Sequence, residues 1–313
     1  LVEERFGHLR LDERYELAVT PHDLGVVHHV TQRTARRAPT LPGPAEARAV
    51  LEARLDTIFG IGPITADRLR SVGVTSVRQL TTFERYRAGA REVVAEHDDA
   101  DLSPLCTRLA RRLGERGHLL STLACALVGP EDVVFFDLET MGLWNNVIFL
   151  AGVGRVHDGE LVVDQYLAPG FAGEAAVVAM ATAALAEAKV VVTYNGRTAD
   201  IPWLRNRAFY LGTGVVPDLT HVDLMYGTRG RFVRQEPRLA SAKLTTVSEQ
   251  LLGLPRPEVD IDSAAIPSVY DRFAQDPERL QGMLVPILDH NRADLEALVL
   301  LLERLCAEAV VAA

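Results

Sequence analysis

Two short runs near the start of the chain, residues 15–20 and 25–31, carry the β-branched, alternating positions of strands, and a basic stretch with Arg33, Arg36 and Arg37 follows. Leu41-Pro42-Gly43-Pro44 then breaks the pattern, and residues 45–59 have the spacing of an amphipathic helix. The breaker predicts a boundary. Residues 60–80 read as glycine turn, helix, glycine turn, helix; the charged run 96–101 reads as a linker or solvated face, and 103–127 as one or two helices.

From Val133 the period shortens. Strand-like runs fall at 133–138, 147–156, 160–167, 190–194 and 221–224, and helical patterns at 174–188, 201–210, 242–252 and 285–306. Three strands in succession, followed by strands alternating with helices, predict a mixed α/β sheet with flanking helices. The chain therefore divides into residues 1–44, to which the pattern assigns no role, an all-α region at 45–128, and an α/β region at 129–313.

Composition narrows the picture only a little. At 313 residues and 48% hydrophobic content the chain can fill more than one core. A formal net charge of -9 argues against a uniformly basic nucleic-acid binder, although overall charge can conceal a local positive patch. Lys189 and Lys243 are the only lysines, so arginine carries nearly all the positive charge. Cys106, Cys125 and Cys306 have no metal-ligand spacing, which suggests a reducing cytoplasm. No apolar stretch is long enough for a membrane span, and no signal-peptide pattern is evident.

Three segments carry candidate chemistry. In Val133-Val134-Phe135-Phe136-Asp137-Leu138-Glu139-Thr140, two carboxylates two residues apart emerge on one face of a strand. Two anions so close favour a hard, oxygen-binding divalent cation; a solvated strand end is the plainer alternative. In Asn195-Gly196-Arg197-Thr198-Ala199-Asp200-Ile201-Pro202, a turn leads from a buried-looking strand into a helix, where Asp200 could also serve as an N-cap. In Asp289-His290-Asn291-Arg292-Ala293-Asp294, His290 and Asp294 share a helical face and could serve one site or form a surface pair. Arg229, Arg231 and Arg234, with Phe232 among them, could follow a nucleic-acid backbone and stack a base, or form a solvated loop.

In this order and spacing the three segments resemble the DEDD exonucleases, most closely the YprB-like branch of the ribonuclease-H-like superfamily. Residues 145–152, His221 with Asp223 and Leu224, and residues 244–253 also fit that branch. The resemblance implies that Asp137 bridges two divalent ions, Mg2+ or Mn2+. Glu139 and Asp294 would complete one shell, Asp200 would hold the other ion, and His290 would orient or deprotonate the attacking water. It also implies 3'-to-5' exonucleolytic hydrolysis. Met141, Ala199 and the four-residue step from His290 to Asp294 depart from the commoner forms of the motifs.

Earlier in the chain, Ile58-Phe59-Gly60-Ile61-Gly62-Pro63 places two glycines between helical patterns, where exposed N–H groups and a helix dipole can receive phosphate. This stretch, continuing to Gly73-Val74, resembles a helix-hairpin-helix module, with Gly60, Gly62 and Arg68 on the nucleic-acid side. Asn195 is a further candidate for contact with nucleic acid. The expected protein is a metal-dependent nuclease on DNA or RNA. A non-catalytic nucleic-acid-binding scaffold and a structure-specific endonuclease are the alternatives.

Overall fold

The computed structural model describes residues 2–142, 147–254 and 261–312. Asn145 and Asn146, part of the expected second strand motif, lie outside the described residues. Among the described residues, seven strands form one sheet: β1 (Glu16–His22), β2 (Gly25–Arg37), β3 (Val133–Thr140), β4 (Ile148–His157), β5 (Glu160–Leu167), β6 (Val190–Thr193) and β7 (Thr220–Asp223), in the order β1-β2-β5-β4-β3-β6-β7. The pairs from β1 to β3 are antiparallel; β3, β6 and β7 are parallel.

The strands belong to the pattern that built them. In β3 the alternate side chains Val134, Phe136 and Leu138 enter one core, while Val133 and Phe135 enter the core on the opposite face. Helices cover both faces. The helix Glu174–Ala186 contributes Val177, Val178 and Ala181 to the first core, and the final helix, Val285–Val311, contributes Leu298, Leu301, Leu302 and Leu305 to the second. This double covering explains why β4 and β6 are apolar on both faces rather than alternating.

The N-terminal segment is part of this sheet. β2 runs to Arg37, past the expected end at residue 31, because it pairs with β5 from His28↔Leu167 to Arg37↔Glu160. The basic stretch is thus strand, with a shift in its pairing with β5 between Arg33 and Arg37.

Between β2 and β3 lie helices Pro44–Glu52, Pro63–Ser71, Arg87–Asp98, Ser103–Leu113, Glu115–Ser121 and Leu123–Val128. Residues 103–127 thus form three helices, broken at Gly114 (φ 58°) and Thr122. The expected helix over 45–59 stops at Glu52. Arg54 leaves helical geometry and its nearly buried side chain pairs with Asp56 at 2.5 Å, after which Leu55–Thr57 makes a single tight turn. Leu55, Ile58, Ile61, Ala66, Val77, Leu80 and Val93 form a small core of their own.

The charged run 96–101 is not a free linker. Glu96 receives the Arg108 guanidinium at 2.6 Å, Asp98 pairs with Arg48 and Arg78, and Asp101 accepts from Thr220 Oγ1 of β7 at 3.1 Å. The first two contacts tie the helices to one another, and the third ties them to the sheet edge at β7.

Candidate active site

Asp137 and Glu139 project from the same face at the end of β3, as period two requires. Final-helix residues His290 and Asp294 face them, with His290 Nε2 3.6 Å from Asp294 Oδ2. These four side chains, with Trp203 and Pro267, line one cavity of about 530 Å³. An adjoining groove of about 860 Å³ shares His290 and Asp294 and extends past Asn195 and Lys243.

Asp200 opens the helix Asp200–Leu211 and is buried. Its Oδ1 accepts a hydrogen bond from the Leu138 backbone N–H at 3.1 Å, which fastens this third carboxylate between the two on β3. The turn delivering it is held from below. Asp223 accepts from the N–H groups of Asn195 (2.8 Å), Arg197 (2.9 Å) and Met225 (3.1 Å), and Asn195 itself has φ 63°. Asp223, considered as an auxiliary acid, is therefore occupied in shaping the turn. Asp289 is similarly engaged, by Tyr15 Oη and Arg14, on the face of the final helix away from the cavity.

Electrostatics mark the cluster. Burial, then the charge of Asp294, pushes the Asp137 carboxyl up to about 8, against a lowering hydrogen bond from Asn291. Burial followed by the charges of Asp137, Asp294 and Asp200 holds Glu139 well above the usual carboxylate range. Asp200 is raised in the same sense by burial and then by Asp137. Carboxylates that oppose one another's ionisation in this way offer the oxygen donors and negative potential that a hard divalent cation neutralises. Among the described residues, however, no group of three or more His, Cys, Asp or Glu side chains stands ready-made as a metal shell. The donor chemistry fits a cation, and a shell requires the side chains to draw inward.

The structure thus places Asp137, Glu139, His290 and Asp294 on one cavity wall, with Asp200 buried against the Leu138 backbone and Asn195 on the adjoining groove. Gly60, Gly62 and Arg68 are exposed on the surface of the helical region, around its separate small core. There Gly60 takes φ 84°, Ile61 is buried, and Phe59 and Ile64 are exposed on either side of the turn. Arg68 is exposed, whereas Arg70 pairs with Asp67, and Arg78 with Glu52 and Asp98.

One suggested surface does not exist. Phe232 is fully buried, and Arg231 and Arg234 pair with Glu308 and Glu115 respectively, so residues 229–235 form a packed helical segment rather than a base-stacking loop.

Several site residues escaped sequence reasoning. Trp203 follows Ile-Pro in a helix whose pattern marks it only as amphipathic, and Lys243 precedes the short helix Leu244–Gln250 without any motif. Asn291 was visible beside His290, but its role was not: Nδ2 donates to Asp137 Oδ2 at 2.8 Å.

Comparison with curated proteins finds no match. A family model described as RNase_H superfamily matches residues 134–306, a span running from the carboxylate-bearing strand to the final helix. The chain belongs to the RNase_H superfamily, whose fold is associated with nucleases acting on nucleic acids.

Proposed function

We propose that this protein is a metal-dependent nuclease of the DEDD type that removes nucleotides from the 3' end of DNA or RNA. The observation that supports this most is the meeting of three carboxylates and His290, drawn from β3 and the final helix, at one cavity, with the buried Asp200 carboxylate bonded to the Leu138 N–H between two of them. Separate elements rarely bring so many mutually repelling anions together unless a cation is bound there.

In this reading Asp137, Glu139, Asp200 and Asp294 hold two divalent ions, Mg2+ or Mn2+. Bound there, such ions supply an activated water and stabilise the charge that develops on the leaving 3'-oxygen. The protein's own residues do the rest. Leu138 N–H and Asn291 each occupy one oxygen of a carboxylate and fix its orientation. His290, beside Asp294 at the cavity wall, accepts a proton from the attacking water. Asn195 and Lys243 border the adjoining groove, where an amide and an ammonium suit the phosphodiester backbone.

The hairpin at Gly60-Ile61-Gly62 serves as a second, sequence-independent hold on the substrate, in the manner of a helix-hairpin-helix module. A Cβ added at either Gly60 or Gly62 would meet nothing within 4 Å, so the backbone there is open to a phosphate from outside.

One oligonucleotide labelled in turn at each end tests the reaction type. Successive shortening from the 3' end is expected. A first product from internal cutting would replace the exonuclease reading with an endonuclease, and binding without cleavage would favour the non-catalytic scaffold.

A further inference from the structure

Asp137, Gly152 and Gln165 lie directly opposite one another across β3, β4 and β5, and Gln165 faces Val30 of β2. Gln32, two residues beyond Val30, shares its face of the sheet. Over the middle of this row sits Asn291 of the final helix. Only glycine leaves room for it: a Cβ at position 152 would stand 2.1 Å from Asn291 Oδ1.

The side chains in this row form one hydrogen-bonded line. Gln32 Nε2 donates to Gln165 Oε1 at 2.7 Å, and Gln165 Nε2 donates to Asn291 Oδ1 at 2.8 Å. Asn291 Nδ2 then donates to Asp137 Oδ2, also at 2.8 Å. Gln165 and Asn291 are fully buried, so neither can exchange its partners for water.

An amide could in principle sit either way round, but one contact sets the polarity of this line. Gln165 Nε2 also donates, at 2.9 Å, to the backbone carbonyl of Leu288, a group that can only accept. Gln165 must therefore turn its nitrogen toward Asn291 and its oxygen toward Gln32. Asn291, having to accept from Gln165, must present its own NH2 group to Asp137.

We propose that Gln32 and Gln165 are positioning residues for the candidate metal site: through Asn291 they hold Asp137 in the rotamer that presents its other oxygen to a cation. This rests on the metal-dependent nuclease reading. It gives the N-terminal strand pair a part in the site, because Gln32 enters the sheet on β2. A chain beginning after β2 would lose the terminal donor that saturates Gln165.

Opposing the line is a sharper test than removing a contact. Gln32→Glu retains the shape but sets a carboxylate against Gln165 Oε1; because the Leu288 carbonyl keeps Gln165 from turning over, the two acceptors repel and displace Gln165, and with it Asn291, from Asp137. Gln32→Leu removes the terminal donor without adding this repulsion. Mn2+ titration calorimetry and single-turnover cleavage by the full chain should show affinity and cleavage rate falling about 10- to 100-fold in Gln32→Glu, the size of loss typical for an outer hydrogen-bond partner. Gln32→Leu should fall less, and neither variant should shift KM for the oligonucleotide by more than about twofold.

A folded Gln32→Glu protein with wild-type Mn2+ affinity and rate overturns this inference alone, as does loss of folding in both variants, which would assign Gln32 to the fold. If the wild-type chain binds no Mn2+, the metal-site reading fails and this inference falls with it.

Discussion

Asp200 and Leu138 are joined by a 3.1 Å hydrogen bond from the Leu138 backbone N–H to the buried Asp200 carboxylate. The bond crosses from the first residue of a helix to the strand position between Asp137 and Glu139. It ties the two halves of the acidic cluster together before any ion is considered. Asp200→Ala should leave that N–H without its partner inside the protein, a loss of about 1–3 kcal/mol in denaturant unfolding. Asp200→Asn, which keeps an acceptor oxygen, should unfold nearer to wild type while losing the same metal-dependent activity.

The raised carboxyls make stability depend on pH in a definite direction. Asp137 is held up to about 8, and Glu139 and Asp200 also stand above their unfolded values, so the folded protein binds more protons than the unfolded chain above pH 4. In EDTA the melting temperature should therefore fall as pH rises from about 6.5 toward 8, above the range in which the buried histidines titrate. Mn2+ should restore it, most strongly at the alkaline end, where the carboxyls have lost their protons. A metal-free melting temperature that is flat or rising across this window would contradict the mutual repulsion described for the cluster.

A separate loss should appear on the acid side. His97 lies in the helical region with both ring nitrogens buried and without hydrogen-bond partners, and burial is the main cause lowering it to about 4. His221, lowered to about 4 for the same first cause, contributes likewise. A folded value below the unfolded one means stability is present at neutral pH and lost as pH falls from about 6.5 through 4. His97→Leu should flatten this part of the profile measured by urea unfolding.

Gly152→Ala brings a methyl group within 2.1 Å of Asn291 Oδ1 and 2.8 Å of its Cγ. Overpacking of this kind costs about 1–3 kcal/mol. The loss of activity should exceed the loss of stability, since the displaced group is the one that holds Asp137. Gly129, where an added Cβ would meet nothing within 4 Å but φ is 94°, gives a backbone-strain control of similar stability cost without loss of activity.

In the hairpin, Gly62 is the informative position. Its φ of -97° suits any residue and a Cβ there meets nothing within 4 Å, whereas Gly60 at φ 84° would be strained by substitution. Gly62→Val should leave the melting temperature nearly unchanged and weaken oligonucleotide binding in a polarisation assay several-fold, with Mn2+ affinity intact. Unchanged binding would remove the hairpin from the substrate path.

Much of this was legible because local pattern and local structure coincide. The run 160–167 is β5 to the residue, and the spacing within Asp137-x-Glu139 and within His290-x-x-x-Asp294 encodes a shared face directly. What the sequence concealed is long-range pairing. Gln32 and Gln165 meet although they are 133 positions apart, and nothing in the alternation of β2 names β5 as its neighbour. The pattern assigns no element to the basic run after residue 31, because charge on a strand looks the same in sequence as charge on a turn. Phe232 misled for the converse reason: arginines around an aromatic residue suggest a nucleic-acid surface until Glu115 and Glu308, far away in sequence, are seen to neutralise them.

In the proposed function, Asp137 and its neighbours form a metal-dependent phosphodiester-cleaving site. Its most direct test is digestion of 5'-labelled single-stranded DNA and RNA by the full chain with Mn2+, beside EDTA and Asp137→Asn controls. A ladder shortening from the 3' end in Mn2+, abolished by EDTA and reduced on the order of 1,000-fold by Asp137→Asn, is expected, because several kcal/mol of charge stabilisation would be lost. Cleavage that persists undiminished in EDTA or in a folded Asp137→Asn protein would contradict it.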